Sequence, residues 1–92
     1  MQEELKLLSE PVNFAVVHLP GRAYPGVVLQ GDTLQSFIVD LVEMKKLLER
    51  DDLTELAFAI DDMKSRLEEV QSYYELVCAS NGITLPYFKT GA

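Results

Sequence analysis

One long apolar seam constrains this chain more than any other feature of its sequence. From residue 53 onward, apolar side chains recur at alternating spacings of three and four: Leu53, Leu56, Ile60, Met63, Leu67, Val70, Tyr74 and Val77. Because this spacing keeps the side chains on one face of an α-helix, it predicts a helix over 53–79, about 40 Å long at about 1.5 Å per residue. Asp51 or Asp52 can cap its start, and Asn81-Gly82 supplies the left-handed residue that ends helices.

A shorter apolar seam precedes this helix. Its positions are Leu34, Phe37, Leu41, Met44 and Leu48, and Ile38 and Val42 broaden the apolar surface. The pattern predicts a helix over 33–50, capped by Asp32 or Thr33. Since the link between the two helices is short, they should be antiparallel neighbours. The longer helix then has seam left over near 70–77, which either a β-hairpin with the C-terminal tail or a second copy of the chain, completing a four-helix bundle, would cover.

Two apolar runs near the N-terminus predict a β-hairpin over 13–30. The runs NFAVVHL (13–19) and GVVLQ (26–30) are rich in residues that favour strands. Between them, Pro20 to Pro25 holds prolines and a glycine that suit a turn. The proline- and glycine-rich stretch is therefore explained first as hairpin chemistry.

The two ends of the chain carry weaker signals. The first ten residues are predicted either as a short helix stopped by Pro11 or as a frayed end, and 83–88 either as a tail strand or as a segment lying across the core. The elements together predict a single α+β domain over 1–92. Its N-terminal β-hairpin packs on a long antiparallel two-helix hairpin, followed by a short C-terminal extended tail.

Charge narrows the class of partner. Eight basic residues against fifteen acidic ones give a net charge of −7, which opposes binding to nucleic acid or to an anionic membrane and would attract a basic protein. The sequence shows no secretory signal and no membrane span. Its single cysteine, Cys78, indicates no disulfide framework. We therefore expect a cytoplasmic protein.

The residues that carry chemistry in other proteins are sparse in this chain. His18 and Cys78 are its only histidine and cysteine, so neither a zinc site nor an oriented nucleophile and base is expected. The glycine-rich stretch also lacks the spacing of a phosphate-binding loop. The sequence therefore predicts no catalytic activity, no metal and no cofactor, with His18 and Cys78 as structural residues.

An acidic face on the second helix is the main candidate binding surface. It comprises Glu55, Phe58, Asp61, Asp62, Glu68 and Glu69. Like charges spaced in this way weaken a helix by a few tenths of a kcal/mol each. Two interpretations stay open: a solvated face, or an interface in which Phe58 is an apolar anchor with a charged rim, unless the β-hairpin covers it. Arg22 and Tyr24 at the hairpin tip are either partner contacts or turn residues.

The stretch NFAVVHLPGRAYPGVVLQGDTL resembles a family of small uncharacterised bacterial proteins. The shared pattern is a strand, LPGR, an aromatic-Pro-Gly, a second strand and QGD before a helix, and it falls on Leu19, Pro20, Gly21, Arg22, Tyr24, Pro25, Gly26, Gln30, Gly31 and Asp32. The family brings no established activity. Small acidic bacterial proteins of this kind are similar to immunity proteins, and that analogy implies the neutralisation of a toxin by binding.

These observations predict a non-enzymatic protein-binding module. Its most concrete form is an immunity-like or antitoxin-like inhibitor that neutralises a basic cognate toxin through the acidic face. The alternative is a structural homodimer or complex subunit that uses the helical seam, with the acidic face left to solvent.

Overall fold

The computed structural model describes residues 6–8 and 14–88, and in it three strands precede two long helices. The strands are β1 (Lys6–Leu7), β2 (Phe14–His18) and β3 (Gly26–Leu29), and the helices are α1 (Gly31–Glu49) and α2 (Leu53–Ser80). The strands form one antiparallel sheet, and the two helices contact each other. The predicted α+β class is confirmed.

The sheet has the order β1-β2-β3, with β2 at its centre. Val16 of β2 lies opposite Val27 of β3, in the hairpin that the apolar runs predicted. The prediction of an N-terminal helix is wrong for the described part of that segment, because Lys6–Leu7 pairs with β2 and the Leu8 amide donates to the Val16 carbonyl at 2.9 Å. Pairing with an existing strand satisfies these backbone groups, which a short isolated helix would leave half exposed. Residues 1–5 and 9–13 lie outside the described chain.

Both helices begin and end close to the predicted positions, with one difference in capping. The α1 N-cap is Gln30, which makes no side-chain cap bond, whereas Asp32 lies inside the first turn. Neither Asp32 nor Thr33 is therefore the cap. At α2 the Asp52 side chain accepts a hydrogen bond from the Glu55 amide at 3.3 Å. Gly82, with φ of 66°, has the left-handed backbone that follows a helix end.

The contact between the helices is rotated from the predicted one. On α1 the partly buried positions are Thr33, Phe37, Asp40, Met44 and Leu47, while Leu34, Leu41 and Leu48 are exposed. The prediction that all five residues of the first seam face the second helix is thus wrong for the three leucines. The rotated contact includes a polar pair, in which Arg66 of α2 pairs with Asp40 and its guanidinium lies 5.1 Å from the centre of the Phe37 ring.

The best-buried cluster lies where α2 extends beyond α1. Val16 of β2 packs there with Tyr74, Val77 and Cys78, so the sheet covers the distal seam of α2. The Tyr74 hydroxyl donates to the Pro25 carbonyl at 2.8 Å, which fixes the end of the β-hairpin loop to the helix.

The segment after α2 is not a strand. Residues 83–88 have no strand pairing, and Ile83 and Leu85 pack against the core cluster. The tail-strand prediction is corrected to the alternative of a segment lying across the core, as expected where Pro86 lacks the amide that a ladder needs. Within the described residues, neither helix is long and apolar enough to span a membrane.

Candidate functional site

The acidic face is exposed along its whole length. Its members, Glu55, Phe58, Asp61, Asp62, Glu68 and Glu69, all lie on the solvent side of α2. Two rows with a seven-residue repeat form it, one through Glu55, Asp62 and Glu69 and the other through Asp61 and Glu68. Because seven residues make nearly two helical turns, each row runs along the helix axis.

Phe58 lies between the two rows and is 65% exposed. Its neighbours one turn away are Glu55, Asp61 and Asp62, all of them exposed. The β-hairpin does not cover this side chain, which resolves the question that the sequence left open. An aromatic ring in water among carboxylates adds nothing to the stability of one chain, and it has the arrangement of an apolar anchor with a charged rim.

Two carboxylates of the acidic face have basic partners on the same helix. Lys64 Nζ lies 3.2 Å from Glu68 Oε2, and Arg66 Nε lies 3.2 Å from Asp62 Oδ2, a charge contact without hydrogen-bond geometry. Among the described residues, Glu55, Asp61 and Glu69 are in no ion pair with a lysine or arginine. The negative charge next to Phe58 is therefore only partly compensated.

Arg22 and Tyr24 are exposed at the tip of the β-hairpin. The backbone around them is ordered by a turn: Gly21 has φ of 74°, and His18 Nε2 donates to the Arg22 carbonyl at 2.8 Å. The structure thus gives His18 a role in holding the turn. The β-hairpin loop is anchored on α2 by Tyr74, whose hydroxyl donates to the Pro25 carbonyl. Tyr74 faces the core, so the hairpin tip and the acidic face lie on different sides of that helix.

Metal-ligand groups and the single cysteine are the next features of the described part of the chain. It contains no group of three or more histidine, cysteine or acidic side chains that could hold a metal ion. Cys78 is fully buried, and burial beside this thiol raises the pKa of Tyr74 to about 12. A phenol with so high a pKa stays protonated at neutral pH, where it serves as a hydrogen-bond donor.

Sequence reasoning did not foresee a second, exposed surface on another side of the helical hairpin, although its residues belong to the two predicted seams. We call it the apolar face, and its members are Leu34, Leu41 and Leu48 of α1 with Leu53, Ile60 and Leu67 of α2, all exposed. One feature of the sequence could have indicated this surface. Ile38 and Val42 broaden the apolar side of the first helix beyond its seam, which is typical of a helix that packs against more than one apolar neighbour.

A shallow groove adjoins the apolar face at Leu67. It has a volume of about 330 Å³ and lies between β3, α2 and the C-terminal tail, with a lining that includes Val27, Leu29, Tyr74 and Tyr87. The lining is almost wholly apolar, so the groove has few polar groups to orient a ligand.

Comparison with known proteins gives a family but no function. Residues 1–87 match the family described as "Family of unknown function (DUF6959)". No curated protein and no solved structure matches the chain.

Proposed function

We propose that this chain, which belongs to the family of unknown function DUF6959, is a non-enzymatic protein-binding module that docks on a basic partner through the acidic face of α2. The observation that carries the proposal is the 65% exposure of Phe58 among acidic side chains. Interface hot spots are typically aromatic residues that become buried on binding, surrounded by a polar rim.

Electrostatics favours the same surface. The whole chain carries a net charge of −7, and the acidic face concentrates carboxylates around one aromatic ring. Such a field attracts a positively charged cleft and speeds the encounter with it. The chemistry of the partner is therefore a surface rich in lysine and arginine with a pocket that accepts a phenylalanine ring.

The most concrete form of this proposal is an immunity-like or antitoxin-like inhibitor acting in the bacterial cytoplasm. A toxin that cleaves nucleic acid must carry a basic substrate cleft, and a row of carboxylates could occupy it in place of phosphates. This form rests on the analogy with small acidic immunity proteins. Arg22 and Tyr24, exposed at the hairpin tip, are proposed as secondary contacts.

Charge reversal tests the proposal. The full chain would be used to capture a partner from the source cells, and affinity for the purified partner would then be measured by calorimetry. We expect Asp61→Lys with Glu69→Lys to weaken binding at least a hundredfold, because both residues belong to the acidic face and lack a basic partner among the described residues, and Asp61 lies one turn from Phe58. Phe58→Ala should weaken binding by tenfold or more.

The matched control places the same charge change on α1. Asp32 and Glu43 are exposed there, so Asp32→Lys with Glu43→Lys alters the net charge equally. We expect the control to change affinity only a few fold, through long-range attraction. Equal losses for both pairs, or no loss for either, would show that the acidic face is not the interface.

A further inference from the structure

The helical hairpin leaves its apolar face open to water. The six side chains, three on each helix, are between 48% and 58% exposed. No residue of α1 is buried, although this helix has nineteen residues and a strongly apolar sequence. Monomeric proteins rarely expose a continuous apolar patch of this size without a binding role.

The three apolar-face residues of α1 and the three of α2 form two rows that lie on the same side of the helical hairpin. Leu41 and Leu48 each lie four positions after a residue of α1 that faces the other helix. In the same way, Ile60 and Leu67 each lie four positions after a residue of α2 that faces α1. Four positions rotate a side chain by about 40° around the helix. In an antiparallel pair, equal rotations along each chain turn both rows toward one side, so the rows form a single surface.

The apolar face is large enough for a stable interface. The contact between the helices runs for about 28 Å at about 1.5 Å per residue, and two helices are about 20 Å wide. The face therefore covers roughly 560 Å² on each copy, and a pair of copies would bury roughly 1,100 Å², more than the ~1,000 Å² that a biological interface needs.

The surface of the whole chain exceeds what its mass predicts. A monomer of 10.4 kDa should expose about 5,400 Å², whereas the chain exposes 7125 Å². Its radius of gyration is 16.5 Å, against about 12 Å for a compact chain of this length. The difference in area, roughly 1,700 Å², is about three times the area of the apolar face, so the proposed dimer accounts for part of it.

The charged side chains beside the apolar face match a second copy of the same face. Each helix carries a lysine followed four residues later by a glutamate, Lys45 with Glu49 and Lys64 with Glu68, and the second pair is joined at 3.2 Å. In two copies related by a two-fold axis, each copy would present both positive and negative side chains to the other. A purely basic partner would instead meet the lysines.

We propose that two copies of this chain associate through their apolar faces to form a four-helix bundle. Glu68 borders both surfaces, but Phe58 and the other members of the acidic face remain on the outside of this bundle, so dimer formation and the binding of a basic protein are centred on different sides of α2. The groove beside Leu67 then lies at the end of the dimer interface.

Sedimentation velocity of the full-length chain across a wide concentration range tests the proposal. We expect a species of twice the 10.4 kDa chain mass that dissociates on dilution. Leu41→Glu and Ile60→Glu should each raise the dissociation constant at least a hundredfold, because each puts a charge into the buried centre. The milder Leu41→Ala and Ile60→Ala should raise it roughly tenfold, and circular dichroism would check that each variant remains helical.

The matched controls are apolar residues with similar exposure on other sides of the same helices. Val39 of α1 is 46% exposed and Leu76 of α2 is 63% exposed, so Val39→Glu and Leu76→Glu should leave the dimer intact. A wild-type chain that stays monomeric up to millimolar concentration would overturn the proposal and leave the apolar face to a different protein. A dimer that Leu41→Glu and Ile60→Glu do not weaken, or that the controls weaken equally, would overturn it as well.

Discussion

Replacing Tyr74 by phenylalanine tests whether the β-hairpin is held to α2 by one buried hydrogen bond. The Tyr74 hydroxyl donates to the Pro25 carbonyl at 2.8 Å, and both residues are buried. Tyr74→Phe keeps the ring and its contacts with Val16, Val77 and Cys78 but leaves the carbonyl without this partner. The loss is therefore one of hydrogen bonding, with no cavity.

The expected cost follows from the burial of that carbonyl. A buried acceptor left unpaired costs about 1–3 kcal/mol, a substantial share of the roughly 5–14 kcal/mol by which a chain of this length is stable. Each kcal/mol lowers the melting temperature of a small domain by about 4–8 °C. Urea unfolding at several protein concentrations would measure the free energy of unfolding and separate it from association.

Tyr87→Phe is the matched control. The Tyr87 hydroxyl donates to Glu75 Oε2 at 3.0 Å in an exposed position, where water can replace it. We expect its loss to change the free energy of unfolding by no more than about 0.5 kcal/mol. If the two variants were equally stable, or if Tyr74→Phe cost nothing, the bond to Pro25 would not be what holds the hairpin in place.

Two further predictions concern ionisation and the contact between the helices. Burial and the adjacent Cys78 thiol raise the pKa of Tyr74 from 10.0 to about 12. The contribution of the neutral phenol to stability is therefore complete below pH 10 and is lost as the pH rises toward 12. Between these pH values the free energy of unfolding should fall less steeply in Tyr74→Phe than in the wild type. Arg66→Gln removes the pairing with Asp40 and the stacking on the Phe37 ring, and we expect it to lower the free energy of unfolding by about 1 kcal/mol. Lys46→Gln, which breaks an exposed pair, should change that free energy by less than about 0.5 kcal/mol, and equal effects would contradict a role for the partly buried pair of Arg66 and Asp40.

The elements that sequence reasoning found are those whose pattern is both long and local. The unbroken seam from Leu53 to Val77 places α2 without knowledge of any other segment, and the turn chemistry around Gly21 places the β-hairpin. By contrast, the pairing of Lys6–Leu7 with β2 depends on a strand elsewhere in the chain. Two residues carry no periodic signal that could reveal such a strand.

The rotation of α1 could not be predicted because apolar periodicity does not say which neighbour an apolar row faces. Leu34, Leu41 and Leu48 match a heptad as well as Phe37 and Met44 do. The inward set also includes Asp40, which pairs with Arg66 on the other helix. A polar residue inside a helix contact has no periodic signature of its own.

The same rotation explains why one pair of helices supports two proposals. With Phe37 and Met44 turned toward α2, the leucines of α1 and the outer row of α2 are left on a common side, away from the acidic face. Fully burying a leucine or isoleucine contributes about 1.5–3 kcal/mol, so burying six half-exposed side chains would contribute roughly 5–9 kcal/mol per chain, as much as the whole stability of a small domain. Since helices in proteins are stabilised chiefly by packing and α1 has no fully buried residue, the association of two copies should add to the stability that α1 already gains from its contact with α2.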